Sequence, residues 1–328
     1  MADFKQASAI APNDSETLNN LGVLHWKLAQ DQDVTAAKAE LAGDLEMVKT
    51  CRRKSVALKD EATDFWNRGV AANPNSSDIH SNLGYAYSEA NDLDKAEFHS
   101  RKAVKINNLS PRPHNNLGRV LLRQSYEREA AARETETKGE TDPAVAAKVK
   151  RLREEAKAKL DEAIVEFKNA AQLDPALLEA RLNLGGVYTQ LNELDKADAE
   201  YRKILRFEEL AKAQSIKDPD LNANFSRAYC GLAQTAIARK QTDEAIRNLQ
   251  TALQWNPNDI LTLRLLALQR YQHSEYRDGG KCLQSWLAKL PPATRQKAAE
   301  QFVKQLDDSE HHEAAAKARA AAKLPAEK

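Results

Sequence analysis

A spacing of 34 residues recurs along this 328-residue chain and constrains its fold more than any other feature. Gly84 and Gly118 are 34 residues apart, and so are Ala233 and Ala267. Each of these small residues follows a leucine in an amphipathic segment, where it allows two helices to approach closely. The pattern predicts tandem helical hairpins that bury their apolar faces against one another. Six leucine-plus-small-residue pairs occur: Leu21-Gly22, Leu83-Gly84, Leu117-Gly118, Leu184-Gly185, Leu232-Ala233 and Leu266-Ala267.

The composition also favours a helical chain. Only 11 glycines and 11 prolines occur and aromatic residues make up 6%, so the core must consist mainly of Ala, Leu, Ile and Val. A formal net charge of +1 gives no overall field to attract nucleic acid. No apolar run approaches the roughly 18 residues that a membrane span needs. The widely spaced cysteines Cys51, Cys230 and Cys282 indicate reduced, buried thiols, so we expect a cytoplasmic protein.

The order of large and small residues within a unit resembles the tetratricopeptide repeat (TPR), a helix-turn-helix unit of 34 residues. The second unit shows it as Leu83, Gly84, Tyr87, Leu93, Ala96 and Ala103, and prolines close several units at Pro74, Pro175, Pro257 and Pro291. This resemblance implies an all-α, right-handed α-solenoid, or TPR superhelix, of about six repeats. It also implies that the first helices of the repeats line a concave groove, with protein or peptide as the partner and no cofactor.

The 34-residue period predicts that the whole chain is a single solenoid and gives the bounds of its repeats. Phe4, Ala7 and Pro12 have the spacing of a second helix alone, so the chain is either a fragment of a longer array or begins with an unusual cap. We expect a half repeat (1–13), a repeat with a helical insertion (14–75), a repeat (76–110), a repeat with a helical hairpin insertion (111–176), a repeat with an extended second helix (177–224), two further repeats (225–258 and 259–292) and a degenerate polar capping repeat (293–328).

Two insertions interrupt the period. The apolar stripe of the first insertion predicts one helix over residues 35–72. The second insertion predicts a helical hairpin with its turn near residues 138–141, because Asp142-Pro143 is a typical helix start. Either insertion could form an arm that contacts a partner or a second copy of the chain, or its stripe could be buried internally.

Asparagine immediately precedes the leucine pair in four units, at Asn20, Asn82, Asn116 and Asn183. This row resembles the asparagine ladder in the TPR domains of O-linked N-acetylglucosamine transferases, which implies that it holds the backbone of an extended peptide. A side-chain amide offers both a donor and an acceptor and can pair with any peptide group. The alternative is that asparagine is simply a small polar residue on a solvated helix face.

The third unit supplies the most basic part of the same predicted face. Arg112, Arg119 and Arg123 lie close in sequence to Asn115, and this cluster favours an acidic peptide or a carboxylate. The alternative is that the arginines serve solubility and pair with Glu127 or Glu129. We expect Tyr85 to face the groove as well, where its ring could stack on a ligand.

The sequence lacks the patterns of common catalytic sites. It has no phosphate-binding glycine loop, no nucleophile elbow and no His-Glu-x-x-His motif. We therefore expect a non-catalytic scaffold that binds an extended segment of another protein. The alternatives are a recruiting module of a larger enzyme, such as a glycosyltransferase, and a scaffold that self-assembles through the insertions.

Overall fold

The computed structural model describes residues 13–137, 143–213 and 218–324. This part of the chain contains fourteen α-helices and no strand, which confirms the all-α solenoid class. Phe4, Ala7 and Pro12 of the expected half repeat lie outside it. The helices are α1 (Ser15–Ala42), α2 (Leu45–Ala72), α3 (Ser77–Glu89), α4 (Leu93–Ile106), α5 (Pro111–Thr137), α6 (Pro143–Leu173), α7 (Leu178–Gln190), α8 (Leu194–Ala213), α9 (Pro219–Ala238), α10 (Thr242–Trp255), α11 (Ile260–Gln272), α12 (Tyr276–Ala288), α13 (Pro292–Asp308) and α14 (His312–Ala321).

The helices form two compact units. The first comprises the chain up to Thr35 together with Thr50–Asn183, and the second comprises Ala36–Lys49 together with the chain from Leu184 onwards. Consecutive helices pack as hairpins within each unit: α3 with α4 and α5 with α6 in the first, α9 with α10 and α11 with α12 in the second. Each unit is therefore a stack of helical hairpins, and we refer to the two members of a hairpin as its first and second helix.

Close packing inside a hairpin depends on a small residue in the first helix that lies against the second helix. A Cβ atom added to Gly118 would lie 2.7 Å from Cε1 of Phe167, and one added to Gly22 would lie 2.6 Å from Cε2 of Trp66. Both rings are fully buried, with exposed fractions of 0% for Phe167 and 2% for Trp66. The aromatic residue of the second helix thus occupies the volume that a side chain on the first helix would need.

The turn between the two helices of a regular hairpin also recurs. Asn91, Asn192, Lys240 and Ser274 each have a positive φ, between 57° and 62°, and each lies seven residues after the small residue of its repeat. A left-handed residue directly after a helix lets the last carbonyl groups form hydrogen bonds while the chain reverses. The repeat is therefore set by a fixed turn position as well as by its apolar pattern.

The first insertion differs from the prediction. A single helix over residues 35–72 is wrong: α1 continues to Ala42 and α2 begins at Leu45. Gly43, with φ of 79°, reverses the chain, and Asp44 accepts a hydrogen bond from the backbone N–H of Met47 at 3.0 Å. A glycine ends one helix and the aspartate after it caps the next, so the pair is a sequence signal for a helix break within a continuous apolar stripe. The second insertion lengthens α5 and α6, and its predicted turn at residues 138–141 lies outside the described residues.

The extended end of α8 is held by a buried carboxylate in the second unit. Glu208 is only 4% exposed and accepts hydrogen bonds from the Tyr229 hydroxyl at 2.8 Å and from Nε1 of Trp255 at 3.0 Å. Lys212 forms an ion pair with the same carboxylate. Because a buried carboxylate needs several donors to offset its desolvation, these contacts fix the helix extension against α9 and α10.

The C-terminal helices complete the second unit with apolar contacts. Phe302 of α13 is fully buried and packs against Trp286 and Tyr271, at ring-centroid distances of 5.7 and 5.9 Å. Ala318 of α14 is buried in the same cluster. The expected capping repeat therefore retains one large aromatic residue within its otherwise polar sequence.

Two histidines join the helices of the hairpin α3–α4. Nδ1 of His80 lies 2.9 Å from Nδ1 of His99, and Nε2 of His80 lies 3.1 Å from the carbonyl oxygen of Pro74. Since a carbonyl can only accept, Nε2 of a neutral His80 donates to Pro74 and its Nδ1 accepts from His99. Burial lowers the pKa of both rings, that of His99 to about 4, and repulsion from His80 and Lys95 acts on His99 in the same direction. The pair is therefore held in the neutral form.

The glycine contacts predict that Gly118→Ala lowers the free energy of unfolding by about 1–3 kcal/mol, because the new methyl group overlaps the Phe167 ring. Gly186→Ala is the matched control, since a Cβ at Gly186 meets no heavy atom within 4 Å. Alanine is favoured over glycine inside a helix by about 1 kcal/mol, so the control should be as stable as the wild type or more so. Urea denaturation followed by circular dichroism measures both, and equal effects would contradict this account.

The histidine pair predicts that the free energy of unfolding rises between pH 4 and 6.5. In this window the unfolded chain, whose histidines have a pKa near 6.5, binds protons that the folded pair excludes, so stability is lost as the pH falls. His99→Gln should remove most of a rise of about 1–3 kcal/mol. His312→Gln, on the exposed surface of α14, should leave it in place. Denaturant unfolding at a series of pH values measures the rise; an unchanged pH dependence in His99→Gln would argue against the neutral pair.

Candidate functional site

All nine residues expected to line the groove belong to the first unit, and each lies on the first helix of its hairpin. α1 carries Asn20, α3 carries Asn82 and Tyr85, and α7 carries Asn183. The remaining five lie on α5: Arg112, Asn115, Asn116, Arg119 and Arg123. We call this set of nine residues the amide face. The expectation that Asn115 is open to a ligand is wrong, because this side chain is only 8% exposed and accepts a hydrogen bond from Asn183.

Three of the ladder asparagines form hydrogen bonds between neighbouring hairpins. Nδ2 of Asn82 donates to Oδ1 of Asn19 at 2.9 Å. Nδ2 of Asn116 donates to the hydroxyl of Ser81 at 2.9 Å. Nδ2 of Asn183 donates to Oδ1 of Asn115 at 3.0 Å. Each acceptor is the residue directly before the ladder position of the preceding hairpin, so the three hydrogen bonds follow one rule.

The sequence analysis missed two of these acceptors, Asn19 and Ser81. The signal for them is the repeat length, because each donor and acceptor are separated by that length plus one residue. The separations are 63, 35 and 68 residues, where the corresponding glycines are 62, 34 and 67 residues apart. The rule holds even across the two insertions. Both insertions therefore leave the pairing between first helices unchanged.

The carbonyl group of Ser81 fixes the orientation of the Asn116 amide. Nδ2 of Asn116 lies 3.4 Å from this backbone oxygen as well as near the hydroxyl group, and a carbonyl accepts only from N–H. The Oδ1 atoms of Asn82, Asn116 and Asn183 accept no hydrogen bond from any other described residue, and the three side chains are half-buried. The side chain of Asn20, also half-buried, makes no hydrogen bond within the same part of the chain.

Tyr85 lies between an aromatic ring and a guanidinium group. Trp26 approaches it edge-on, with ring centroids 5.4 Å apart, and the guanidinium carbon of Arg119 lies 5.2 Å from the centre of the Tyr85 ring. Burial, and next the carboxylate of Glu89, raise the pKa of Tyr85. One face of the ring is thus covered by Arg119, which restricts the stacking expected from the sequence. Trp26, only 8% exposed, supports the Tyr85 ring, a contact that the sequence analysis did not predict.

Two of the three arginines of the amide face are already paired. Arg119 lies 3.6 Å from the carboxylate of Glu89. Arg123 donates to the backbone carbonyl and hydroxyl of Ser88, the latter at 3.0 Å, and to Oδ1 of Asn91 at 2.7 Å. The expected pairing with Glu127 or Glu129 is wrong for Arg119 and Arg123, because these two side chains contact the preceding hairpin and not acidic residues of α5. Arg112 is exposed and forms no ion pair with a described residue.

Other kinds of site find little support in the described residues. Among them, no group of three or more His, Cys, Asp or Glu side chains could hold a metal ion. No helix in residues 13–137, 143–213 or 218–324 is long and apolar enough to cross a bilayer. Cys51 and Cys230 are buried and Cys282 is half-buried, and burial raises the pKa of Cys230 to about 11. A thiol of such high pKa is a poor nucleophile at neutral pH.

Comparison with protein families identifies the repeat. Models of the tetratricopeptide repeat match residues 65–98, 156–218 and 226–259. A curated relative, the formate-dependent nitrite reductase complex bifunctional subunit NrfFG of Haemophilus influenzae, is 28% identical over 153 residues. That alignment covers 45% of this chain and 36% of the relative, so the chain spans about a third of the length of the curated protein.

Solved structures support the fold. A chain of the APC/C hetero-tetramer Cut9–Hcn1 superposes with a TM-score of 0.54 and 14% identity, covering 93% of this chain and 51% of that chain. A tetratricopeptide repeat protein from Parabacteroides merdae gives a TM-score of 0.50 and 15% identity, covering 89% and 94%. At these identities the likeness concerns the fold alone. Three segments of the chain thus match the tetratricopeptide repeat, and the stacked helical hairpins have the 34-residue period of that repeat.

Proposed function

We propose that this protein is a non-catalytic interaction scaffold whose first unit binds an extended segment of a partner protein along the amide face. Tetratricopeptide repeats support the scaffold role. The observation that carries the binding mode is the row of half-buried asparagines whose Oδ1 atoms have no partner in the described residues. None of these oxygen atoms is fully buried, so each can exchange a bound water molecule for a donor group of the ligand.

The energetics favour moderate affinity with little dependence on the sequence of the segment. A peptide group can pair with a side-chain amide whatever residue carries it. Four such hydrogen bonds, at a net of about 0.5–1.5 kcal/mol each, would contribute about 2–6 kcal/mol. Ordering a flexible segment costs about 2–5 kcal/mol or more, so backbone pairing alone gives weak binding. Side chains around the face must supply the rest of the affinity.

The charge of the amide face sets its selectivity only in part. Arg119 is neutralised by Glu89, and Arg123 is held by Ser88 and Asn91. Arg112 alone is left to attract an acidic residue. The preference for acidic segments expected from the sequence is therefore confined to one end of α5.

A second candidate is a recruiting module within a larger assembly. The Haemophilus relative is named as a subunit of a reductase complex, and the aligned region covers 36% of it. A module of this kind would use the same face to hold another subunit. Self-association through the insertions stays a prediction.

Binding to the amide face predicts that Asn82→Ala combined with Asn116→Ala weakens peptide affinity. Ligands would be selected from a phage library of random 12-residue peptides on the immobilised full chain. Loss of two hydrogen bonds, at about 1–3 kcal/mol in total, corresponds to a roughly 5- to 150-fold rise in Kd by fluorescence anisotropy.

Lys105→Ala combined with Lys168→Ala is the matched control, because both lysines are exposed on second helices, α4 and α6. The Kd of the control for the peptides should stay within about twofold of the wild-type value. Thermal melting followed by circular dichroism checks that both variants are folded. Selected peptides whose affinity is unchanged in the asparagine variant would contradict the proposed binding mode.

A further inference from the structure

Three helices of the second unit meet at the carboxylate of Glu208. Glu208 lies near the end of α8, Tyr229 lies on α9 and Trp255 is the last residue of α10. The Tyr229 hydroxyl donates to Oε2 of the carboxylate at 2.8 Å, and Nε1 of Trp255 donates to Oε1 at 3.0 Å. We call these three residues the carboxylate–indole site. It belongs to the second unit, whereas the amide face belongs to the first.

The two aromatic side chains of this site are held in fixed positions. Phe225, which is fully buried, packs against the Trp255 ring at a centroid distance of 5.1 Å. Burial, and next the hydrogen bond to Glu208, raise the pKa of Tyr229 to about 12, so its hydroxyl remains a donor at neutral pH. The site is therefore a carboxylate oriented by two donors beside the face of an immobile indole ring.

Lys212 shows what this site can bind. Its ammonium nitrogen lies 2.5 Å from Oε1 of Glu208 and 5.3 Å from the centre of the Trp255 ring. A carboxylate attracts an ammonium group by charge and hydrogen bonding, and the face of an indole ring attracts it through the ring quadrupole. The two groups together thus form a binding site for an ammonium group, and a lysine of the same chain occupies it.

The burial of Glu208 distinguishes this contact from an ordinary ion pair along a helix. The side chain of Glu154, which pairs with Lys150 four residues earlier, is 67% exposed, whereas that of Glu208 is 5% exposed. A buried carboxylate without a cation is costly, so the site favours an ammonium group whichever chain supplies it. Lys212 itself is 61% exposed, and its flexible stem can leave by rotation about side-chain bonds.

We infer that the carboxylate–indole site binds the side-chain ammonium group of a lysine from a partner protein, and that Lys212 occupies the site until that lysine displaces it. The present occupant sets the ligand class. A primary ammonium group donates to Glu208 while its alkyl stem extends into solvent. Lys212 acts as a competitor within the chain, so its effective concentration weakens the binding of any other lysine.

Removal of Lys212 should open the site to a lysine in solution. The probe is Nα-acetyl-lysine N-methylamide, added at constant ionic strength. The readout is the indole N–H resonance of Trp255 in full-length protein with isotopically labelled tryptophan, assigned by its loss in Trp255→Phe. In Lys212→Ala we expect a saturable shift of this resonance, with a Kd at least about tenfold lower than in the wild type.

Lys203→Ala is the matched control for this variant. It removes another lysine of α8 that pairs with a carboxylate, that of Glu200, and should bind the probe as weakly as the wild type does. Adding Glu208→Gln to Lys212→Ala should abolish the saturable shift, because the negative charge of the site is lost. Circular dichroism shows whether each variant is folded. If the variant with Glu208→Gln is unfolded, two modified probes decide with Lys212→Ala alone.

The modified probes test the chemistry of recognition. The Nε-acetyl derivative has the same stem but no charge, and should give no saturable shift. The Nε-trimethyl derivative keeps the charge but cannot donate to Glu208, so its Kd should be at least about fivefold higher than that of the unmodified probe. Lys212→Met replaces Lys212→Ala if the alanine variant is unfolded, since methionine keeps an unbranched stem without the charge.

The outcomes divide clearly. A saturable shift in Lys212→Ala that requires the charge of the probe and is weaker in the wild type supports the inference. A folded Lys212→Ala protein with no saturable shift, or with an equal response to the acetylated probe, would overturn it. Equal Kd values in the wild type and Lys212→Ala would contradict the competition by Lys212, and equal Kd values for the trimethyl probe would contradict the hydrogen bond to Glu208. None of these results bears on the amide face, because none of its nine residues is altered.

Discussion

The close approach of two helices at a residue without a side chain is the constraint on which the rest of this structure depends. Phe167 and Trp66 fill space that a Cβ at Gly118 or Gly22 would occupy. Their rings set the separation within the hairpin. Neighbouring first helices are themselves close enough for the short side chains of Asn116 and Ser81 to form a hydrogen bond. Small residues of the first helices therefore serve both the packing inside a hairpin and the polar contact between hairpins.

Repeat periodicity carried most of what could be predicted about the fold. The spacing of the leucine pairs gave the hairpins and placed the expected face on the first helices. The spacing did not predict the helix break at Gly43, because two packed helices and one long helix can have the same continuous apolar stripe. In that segment one glycine with positive φ, Gly43, ends a helix that the apolar pattern alone would continue.

The site was predictable in position but not in its bonding. The asparagine row follows directly from the sequence, whereas the partners of Asn82, Asn116 and Arg123 lie in the preceding hairpin, 63, 35 and 35 residues away. Predicting them requires the lateral packing of first helices, which periodicity within one hairpin does not describe. Arg119 and Arg123 illustrate the consequence, since the local alternative assigned them to acidic residues of their own helix. A charged side chain on a stacked helix reaches its neighbour across the stack as easily as along it.

The joint between hairpins also bears on how such a chain can grow. The hairpin α3–α4 carries Ser81, which receives a bond from the hairpin that follows, and Asn82, which gives one to the hairpin before it. A duplicated copy of this segment would find a compatible neighbour on either side from the outset. Lengthening the array by gene duplication then requires no simultaneous change in two adjoining hairpins. A hairpin with a long insertion can be added in the same way, because the insertion does not change the residues that form these bonds.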